Sequence, residues 1–434
     1  MARHDPHSPT TRLLFIGYVW PEPRSSAASG HVMQLLHCFL EQGWQITFAS
    51  PASEGLHRAA LNDLGITERH IELNSESFDS FVRELDPHVV VFDQFMIEEQ
   101  FGWRVEKHCP NALRVLETSD LQSLRHARHQ HLKALLATPT AESNMPSLFE
   151  QPHTSLFQRM AGSDLALREV AALYRCDLNL MTSDVEMQLL TTAFNLPPAL
   201  LHWCPLMPEP ALPTPPGFIE RAHFLSIGNF RHAPNWDAVL WLKNAIWPLI
   251  RQQLPQAQLH IYGAYTPPKA TALHNPAQGF HIMDWAEDAL QVMAQARVCL
   301  APLRFGAGIK GKLIDAMLCG TPSVTTPIGT EAMHGELPWP GLVATNAAAI
   351  AEAAVRLYRD QTRWEQAQVD GWRLLGERYP RDRHAASLIQ RITELRDRLP
   401  AHRLANFTGA MLRHHQHKST QYMAQWIEAK NRLA

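Results

Sequence analysis

The strongest constraint on this chain is an alternation, made twice, of brief apolar runs with longer stretches whose apolar residues recur at helical spacing. In the first half the runs are Leu13 to Gly17, Ile46 to Ala49, Val89 to Phe92, Leu113 to Leu116 and Leu178 to Met181. Runs this short and this apolar suit buried strands, whereas His31 to Gln42 and Phe78 to Leu85 carry the period of amphipathic helices. Strand and helix in turn predict βαβ units, hence a parallel sheet with helices on both faces. Six prolines then fall among the twelve residues from Pro205 to Pro216, a composition that stiffens a connector and packs no core. Beyond it the alternation restarts, with strands predicted at Phe224 to Gly228, Gln258 to Tyr262, Val298 to Ala301 and Ser323 to Thr326. The fold class expected is α/β. It comprises two Rossmann-like, doubly wound lobes at 1–205 and 218–380, a proline-rich linker at 206–217 and a helical segment at 381–434.

A chain of 434 residues accommodates two domains of the usual ~100 to 200 residues. The formal net charge of -3 gives no whole-protein case for nucleic acid. The opening MARHDPHSPTTR lacks the apolar stretch of a signal peptide, and no run approaches the ~20 apolar residues that span a bilayer. Six scattered cysteines without a CxxC pair read as reduced thiols. A cytoplasmic protein is therefore expected. Residues 401–434 hold five Lys or Arg against one acid, Glu428. Leu404, Phe407 and Met411, then Tyr422, Trp426 and Ile427, recur there at helical spacing. This stretch is expected to pack on the rest of the protein, with a peripheral membrane contact as the alternative.

In open α/β sheets ligands bind beyond the carboxyl ends of the strands. After Val298 to Ala301 the sequence reads ProLeuArg and then FGAGIKGKLIDAMLCG. Glycines at 306, 308 and 311 let backbone amides approach a ligand, and the helix they open presents its positive dipole end. Arg304, Lys310 and Lys312 add cations. Together these form a candidate diphosphate cradle, the alternative being an ordinary strand-to-helix turn with solvated lysines. Walker-type GxxxxGK followed by Ser or Thr is absent, as is GxGxxG at the first turn of either lobe.

The runs FLSIGNFRHAPNWDAVLWL, QLHIYG, ARVCLAPLRFGAGIKGKLIDAMLCGTPSVTT and PIGTEAM strongly resemble the donor-binding lobe of family 4 glycosyltransferases, which have the GT-B fold. Looser matches lie around Ser29 and Gly30, in ETSDLQSLRHAR and in REVAALYRCDLNLMTSDVEMQLL. The resemblance implies a glycosyltransferase that moves a sugar from a nucleotide-sugar donor, a UDP- or GDP-sugar, to an acceptor that is a glycan, a lipid-linked molecule or a protein. It further implies retention of anomeric configuration, donor binding mainly in the second lobe, and a C-terminal segment that crosses back onto the first. Of the family's two glutamates eight positions apart, the second corresponds to Asp315, expected at the ribose, and the first to Ala307, whose methyl group cannot bind sugar hydroxyls. Gly308 and Ile309 fall where backbone amides meet the phosphates. Gly30 matches a loop glycine close to phosphate and sugar. After Gly228 the family's Arg and Lys are replaced by Asn229 and by Pro234 or Asn235, so Arg231, Lys310 or Lys312 must supply the charge; Arg231 also reads as a surface residue before a helix.

Asp93 and Asp120 follow first-lobe strands and are the candidate catalytic carboxylates, able to orient an acceptor hydroxyl or act as its base. Asp120 equally reads as the cap of a helix starting at Leu121. His126, His129 and His131, like His414, His415 and His417, lack the companions of a metal site and read as exposed helix residues. Asp-any-Asp is missing from the sequence, so neutralisation of the phosphates by amides and cations is expected, with no metal or other cofactor. Two alternatives remain: a nucleotide-sugar epimerase of the same fold, and an inactive, glycosyltransferase-like binding subunit.

Overall fold

The computed structural model describes residues 10–139, 144–209 and 215–433, so part of the predicted linker, 210–214, lies outside the described residues. Seven parallel strands make the first sheet: β1 (Arg12–Ile16), β2 (Gln45–Ser50), β3 (Thr67–His70), β4 (Val89–Asp93), β5 (Leu113–Glu117), β6 (Leu178–Met181) and β7 (Leu201–Trp203). Their spatial order is β3-β2-β1-β4-β5-β6-β7. Six more make the second: β8 (Phe224–Ile227), β9 (Leu259–Tyr262), β10 (Phe280–Asp284), β11 (Val298–Ala301), β12 (Ser323–Thr325) and β13 (Gly341–Val343), in the order β10-β9-β8-β11-β12-β13. The strand order reverses between β1 and β4 and again between β8 and β11, and a doubly wound sheet opens its ligand crevice at such a point.

The inner strands β1 and β4 are apolar at successive positions because both faces of the sheet are covered. Leu13 and Phe15 of β1, with Val89 and Val91 of β4, enter one core. Leu14 and Ile16, with Val90 and Phe92, enter the other. Leu388, Ile392 and Leu395 of helix Arg381–Asp397 complete the first of these cores, so the C-terminal segment does cross back onto the first lobe. Linker residues Leu206 and Met207 are buried rather than extended through solvent. The Met207 N–H donates to the Gln34 side chain at 2.8 Å.

The lobes exchange pieces of core. Leu132 and Leu135, at the end of helix Gln122–Leu136, and Met145 and Leu148 beyond it pack into the second lobe's core beside Phe305. Ala307 in turn packs against the first lobe's core.

Truncating Leu388 to Ala empties a fully buried site between helix Arg381–Asp397 and the first sheet. A loss of ~2 to 5 kcal/mol is expected, read as a lower denaturation midpoint. A midpoint unchanged from wild type would mean that the helix does not dock there.

Candidate functional site

The carboxyl ends of both sheets face one junction. There β11 runs into the loop 302–310, which opens helix Gly311–Leu318. Gly308 has φ +63°, and a Cβ on it would come within 2.9 Å of the Ser119 carbonyl oxygen and of the Asp120 Cβ, so backbone geometry and the first lobe's proximity both call for glycine. A Cβ on Gly311 would lie 2.3 Å from that of Ala27, where the N-termini of two helices, one from each lobe, meet. No side chain caps helix Gly311–Leu318, and among the described residues the Ile309 N–H donates to no protein group.

The Gly308 N–H is taken by Glu186, a buried first-lobe carboxylate whose other oxygen accepts the Leu121 N–H at 3.1 Å. Burial holds the Glu186 carboxyl well above the usual range, and Asp120 raises it further, while the Gly308 N–H works against both. Arg128, also buried, closes the junction. It donates to the Gly306 carbonyl at 2.8 Å and, through both terminal nitrogens, to Glu331 at 2.8 and 2.7 Å. That pairing keeps the Glu331 carboxyl below the ordinary range despite its burial.

The predicted cations separate. Lys312 donates to Asn235 at 2.7 Å, and Asn235 donates to the Asn229 carbonyl at 3.0 Å. Burial pushes the Lys312 ammonium down to about 8. A Cβ on Gly228 would reach the Lys312 nitrogen at 2.8 Å, so Gly228, Asn229 and Lys312 form one corner. One turn on from Lys312, the carboxylate of half-buried Asp315 has no hydrogen-bond or ion-pair partner among the described residues, and burial pushes it up to about 7. Lys310 is nearly buried and turned back onto the loop, donating to the Gly308 carbonyl; desolvation lowers its ammonium, with Glu331 offsetting part of the loss. Ile309 is half-buried against a second-lobe core. Arg231 lies over the Tyr265 ring at 3.6 Å, and the Tyr265 hydroxyl donates to Glu22 of the first lobe at 2.7 Å.

Four sequence expectations need correction. Arg304 does not line the loop cradle, because Asp237 of helix Ala233–Trp241 engages its guanidinium through two oxygens. Gly30 belongs to the first turn of helix Ala27–Glu41 rather than to the loop, although the space beside it is open. Asp120 caps nothing: helix Gln122–Leu136 has its start bonded instead by Glu169, which accepts the Gln122 and Ser123 N–H groups at 2.8 and 3.0 Å, and Asp120 pairs with Arg125. His129 is not a freely solvated side chain, since it stacks on Phe305 with ring centroids 4.3 Å apart. Side chains of Gln416 and His417 lie outside the described residues. Glu186 was hidden in the sequence because SerAspValGlu reads as a capping box. Only half of that box forms: Ser183 accepts the Glu186 N–H at 3.1 Å, and the carboxylate leaves for the other lobe.

Asp93 ends β4 with little exposure, accepting the Tyr18 N–H at 3.0 Å. Beside it lies the buried pair His31 and Glu117, 3.2 Å apart.

Residues 221–360 match the family model described as glycosyl transferases group 1. The sucrose-phosphate synthase of Thermosynechococcus elongatus superposes with a TM-score of 0.61 at 15% identity, over 89% of this chain and 99% of that one. Anabaena Alr3699/HepE in complex with UDP-glucose gives 0.62 at 11%, over 88% and 100%. WaaG, a glycosyltransferase involved in lipopolysaccharide biosynthesis, gives 0.56 at 12%, over 86% and 98%. The chain has the GT-B fold. No curated protein sequence matches it. In GT-B terms the junction just described is the interlobe cleft, and the loop 302–310 with its helix lies inside the matched region.

Burial pushes the Asp93 carboxyl from 3.8 up to about 7, opposed by the Tyr18 N–H and supported by Glu117. Across that window the folded protein keeps a proton that the unfolded chain has lost, so the contribution of Asp93 is full below about pH 4 and declines as the pH rises to about 7. Thermal unfolding should therefore show a steeper loss of Tm from about pH 4.5 to about pH 7 in wild type than in Asp93→Asn. Parallel profiles would mean that Asp93 is ionised throughout.

Proposed function

We propose that the protein is a family 4-type glycosyltransferase that holds a UDP- or GDP-sugar in its second lobe and passes the sugar, with retention, to a glycan, lipid-linked or protein acceptor in the cleft. The observation that carries this reading is the open helix N-terminus at Gly311. It has a free Ile309 N–H before it and Lys312 and an unpartnered Asp315 along its first turns, all at the carboxyl end of β11. Amides at a helix N-terminus favour an anion and need no metal. The match of residues 221–360 to a glycosyltransferase model and the UDP bound by Alr3699/HepE support the same ligand class.

In this reading the diphosphate meets the amides of Gly308 and Ile309 together with the Lys312 ammonium, and Asp315 meets the ribose. Asn229 and Arg231 border the phosphates, and Gly30 leaves room for them. Glu186 must release Gly308 first, since one N–H cannot serve two acceptors fully. Asp120, beside Gly308, is then the first-lobe carboxylate nearest the reacting end of the donor, and Asp93 lies deeper. One observation favours a binding-only protein: Ala307 is packed against the first lobe's core and presents no group to the sugar. Release of free sugar from the donor by purified protein would decide against that second reading.

Calorimetry with UDP and GDP in EDTA tests the site. Binding is expected without added metal. A charge-assisted hydrogen bond is worth ~1.5 to 3 kcal/mol, so Lys312→Ala should weaken binding ~10- to 100-fold, while Arg304→Ala, with its guanidinium already committed, should change it little. Binding that requires magnesium, or that ignores both Lys312 and Asp315, would overturn the proposal.

A further inference from the structure

The last helices dock in an inverted sense. Helices Leu399–Ala405, Phe407–Leu412 and Lys418–Leu433, the last two joined through a π-turn at Arg413–His417, meet the first lobe with their polar groups. Arg403 forks onto Asp177 at 2.8 Å, and Asn406 donates to the Tyr174 carbonyl at 2.7 Å. Gly409 approaches so closely that a Cβ would lie 2.1 Å from the same carbonyl. Buried Arg413 reaches the Arg175 carbonyl at 3.2 Å, Ala424 is buried, and Glu428 accepts the Glu76 N–H at 2.8 Å. The apolar side chains are left outside: Leu404 is 83% exposed, Phe407 76%, Tyr422 65% and Trp426 60%, with Met411 and Met423 beside them.

The sequence expectation that this stretch packs on the protein is therefore met by its polar side, and its apolar side has no partner within the chain. Exposed Phe407 and Met411 before the π-turn, and Lys418, Tyr422, Trp426 and Lys430 after it, recur every fourth position, a spacing that in the last helix makes a stripe winding about a third of the way round it. The cations belong to that stripe: Lys430 stands over the Trp426 ring at 5.4 Å, and Lys418 lies 3.3 Å from His414. The segment's one acid, Glu428, is occupied on the docked side. We infer that this stripe is a membrane-surface contact, which lays the C-terminal helices on an anionic lipid bilayer with the aromatic side chains at the level of the headgroups.

Charge selects the occupant. A second copy would add its own Lys418 and Lys430 to an interface whose one acid, Glu428, is already engaged, whereas an anionic leaflet attracts each cation by ~1 kcal/mol, about fivefold in affinity, and accepts Trp and Tyr at its interface. Among the described residues no helix is long and apolar enough to cross a membrane, so the contact is a surface one.

The test is cosedimentation of the full chain with phosphatidylcholine vesicles, alone and with about 30 mol% phosphatidylglycerol. Wild type should pellet with the anionic vesicles only. Lys418→Gln with Lys430→Gln should weaken binding about 25-fold, and Phe407→Ser, Tyr422→Ser and Trp426→Ser together should abolish it, all with an unchanged melting temperature because these side chains are exposed. Should the triple variant not fold, Trp426→Ser alone must still bind more weakly. The inference is overturned if wild type stays in the supernatant, if the serine variants pellet as wild type does, or if sedimentation velocity shows the stripe driving self-association without vesicle binding.

Discussion

The cleft is organised by two buried groups of the first lobe that grip the backbone of a second-lobe loop. Arg128 holds the Gly306 carbonyl while its charge is met by Glu331, and Glu186 holds the Gly308 N–H. A buried ion pair of this kind need not add net stability, but removing one partner leaves an uncompensated charge and costs about 3 to 5 kcal/mol. Its effect is therefore on register: the loop 302–310 stays opposite residues 119–121 and 182–186. Exchange of core pieces reinforces this, with Leu132 and Leu135 inserted into one lobe and Ala307 into the other.

That arrangement places a carboxylate where the proposed diphosphate belongs. Glu186 satisfies an amide that would otherwise be buried without a partner, at the expense of its own desolvation. A phosphate carries more charge and would gain the free Ile309 N–H and Lys312 as well. Replacement of the Glu186 carboxyl by a phosphate on the Gly308 N–H is thus a natural way for the site to fill, and it returns Glu186 to solvent. It also explains why Lys310, tethered to the Gly308 carbonyl, serves the loop's shape, whereas Lys312 stands at the corner formed by Gly228 and Asn229.

Much of the fold was legible because the central strands are apolar on both faces: the nine predicted strands coincide with observed ones to within a residue or two. The strands not foreseen lie at sheet edges or ends. Edge strands β3 (ThrGluArgHis) and β10 (PheHisIleMetAsp) have few buried residues, and β7 and β13 have three residues each, too few for a period to show. The glycine-bearing turn from β11 into helix Gly311–Leu318 was also legible, being local in sequence. Partnerships across the lobes were not. Nothing in the sequence near Arg304 announces Asp237, nothing near Asp120 announces that Glu169 bonds the following helix, and Glu186 is disguised by a local motif that it only half forms. The tail misled in a different way, since apolar periodicity marks a face without saying whether that face turns inward.

In the proposed function Gly308 gives up the Glu186 carboxyl for a phosphate. A crystal structure of the protein with UDP tests it most directly. The diphosphate is expected on the amides of Gly308 and Ile309, with Lys312 within hydrogen-bonding distance of it and the Glu186 side chain turned away. UDP bound elsewhere, with Glu186 still on Gly308, would contradict it.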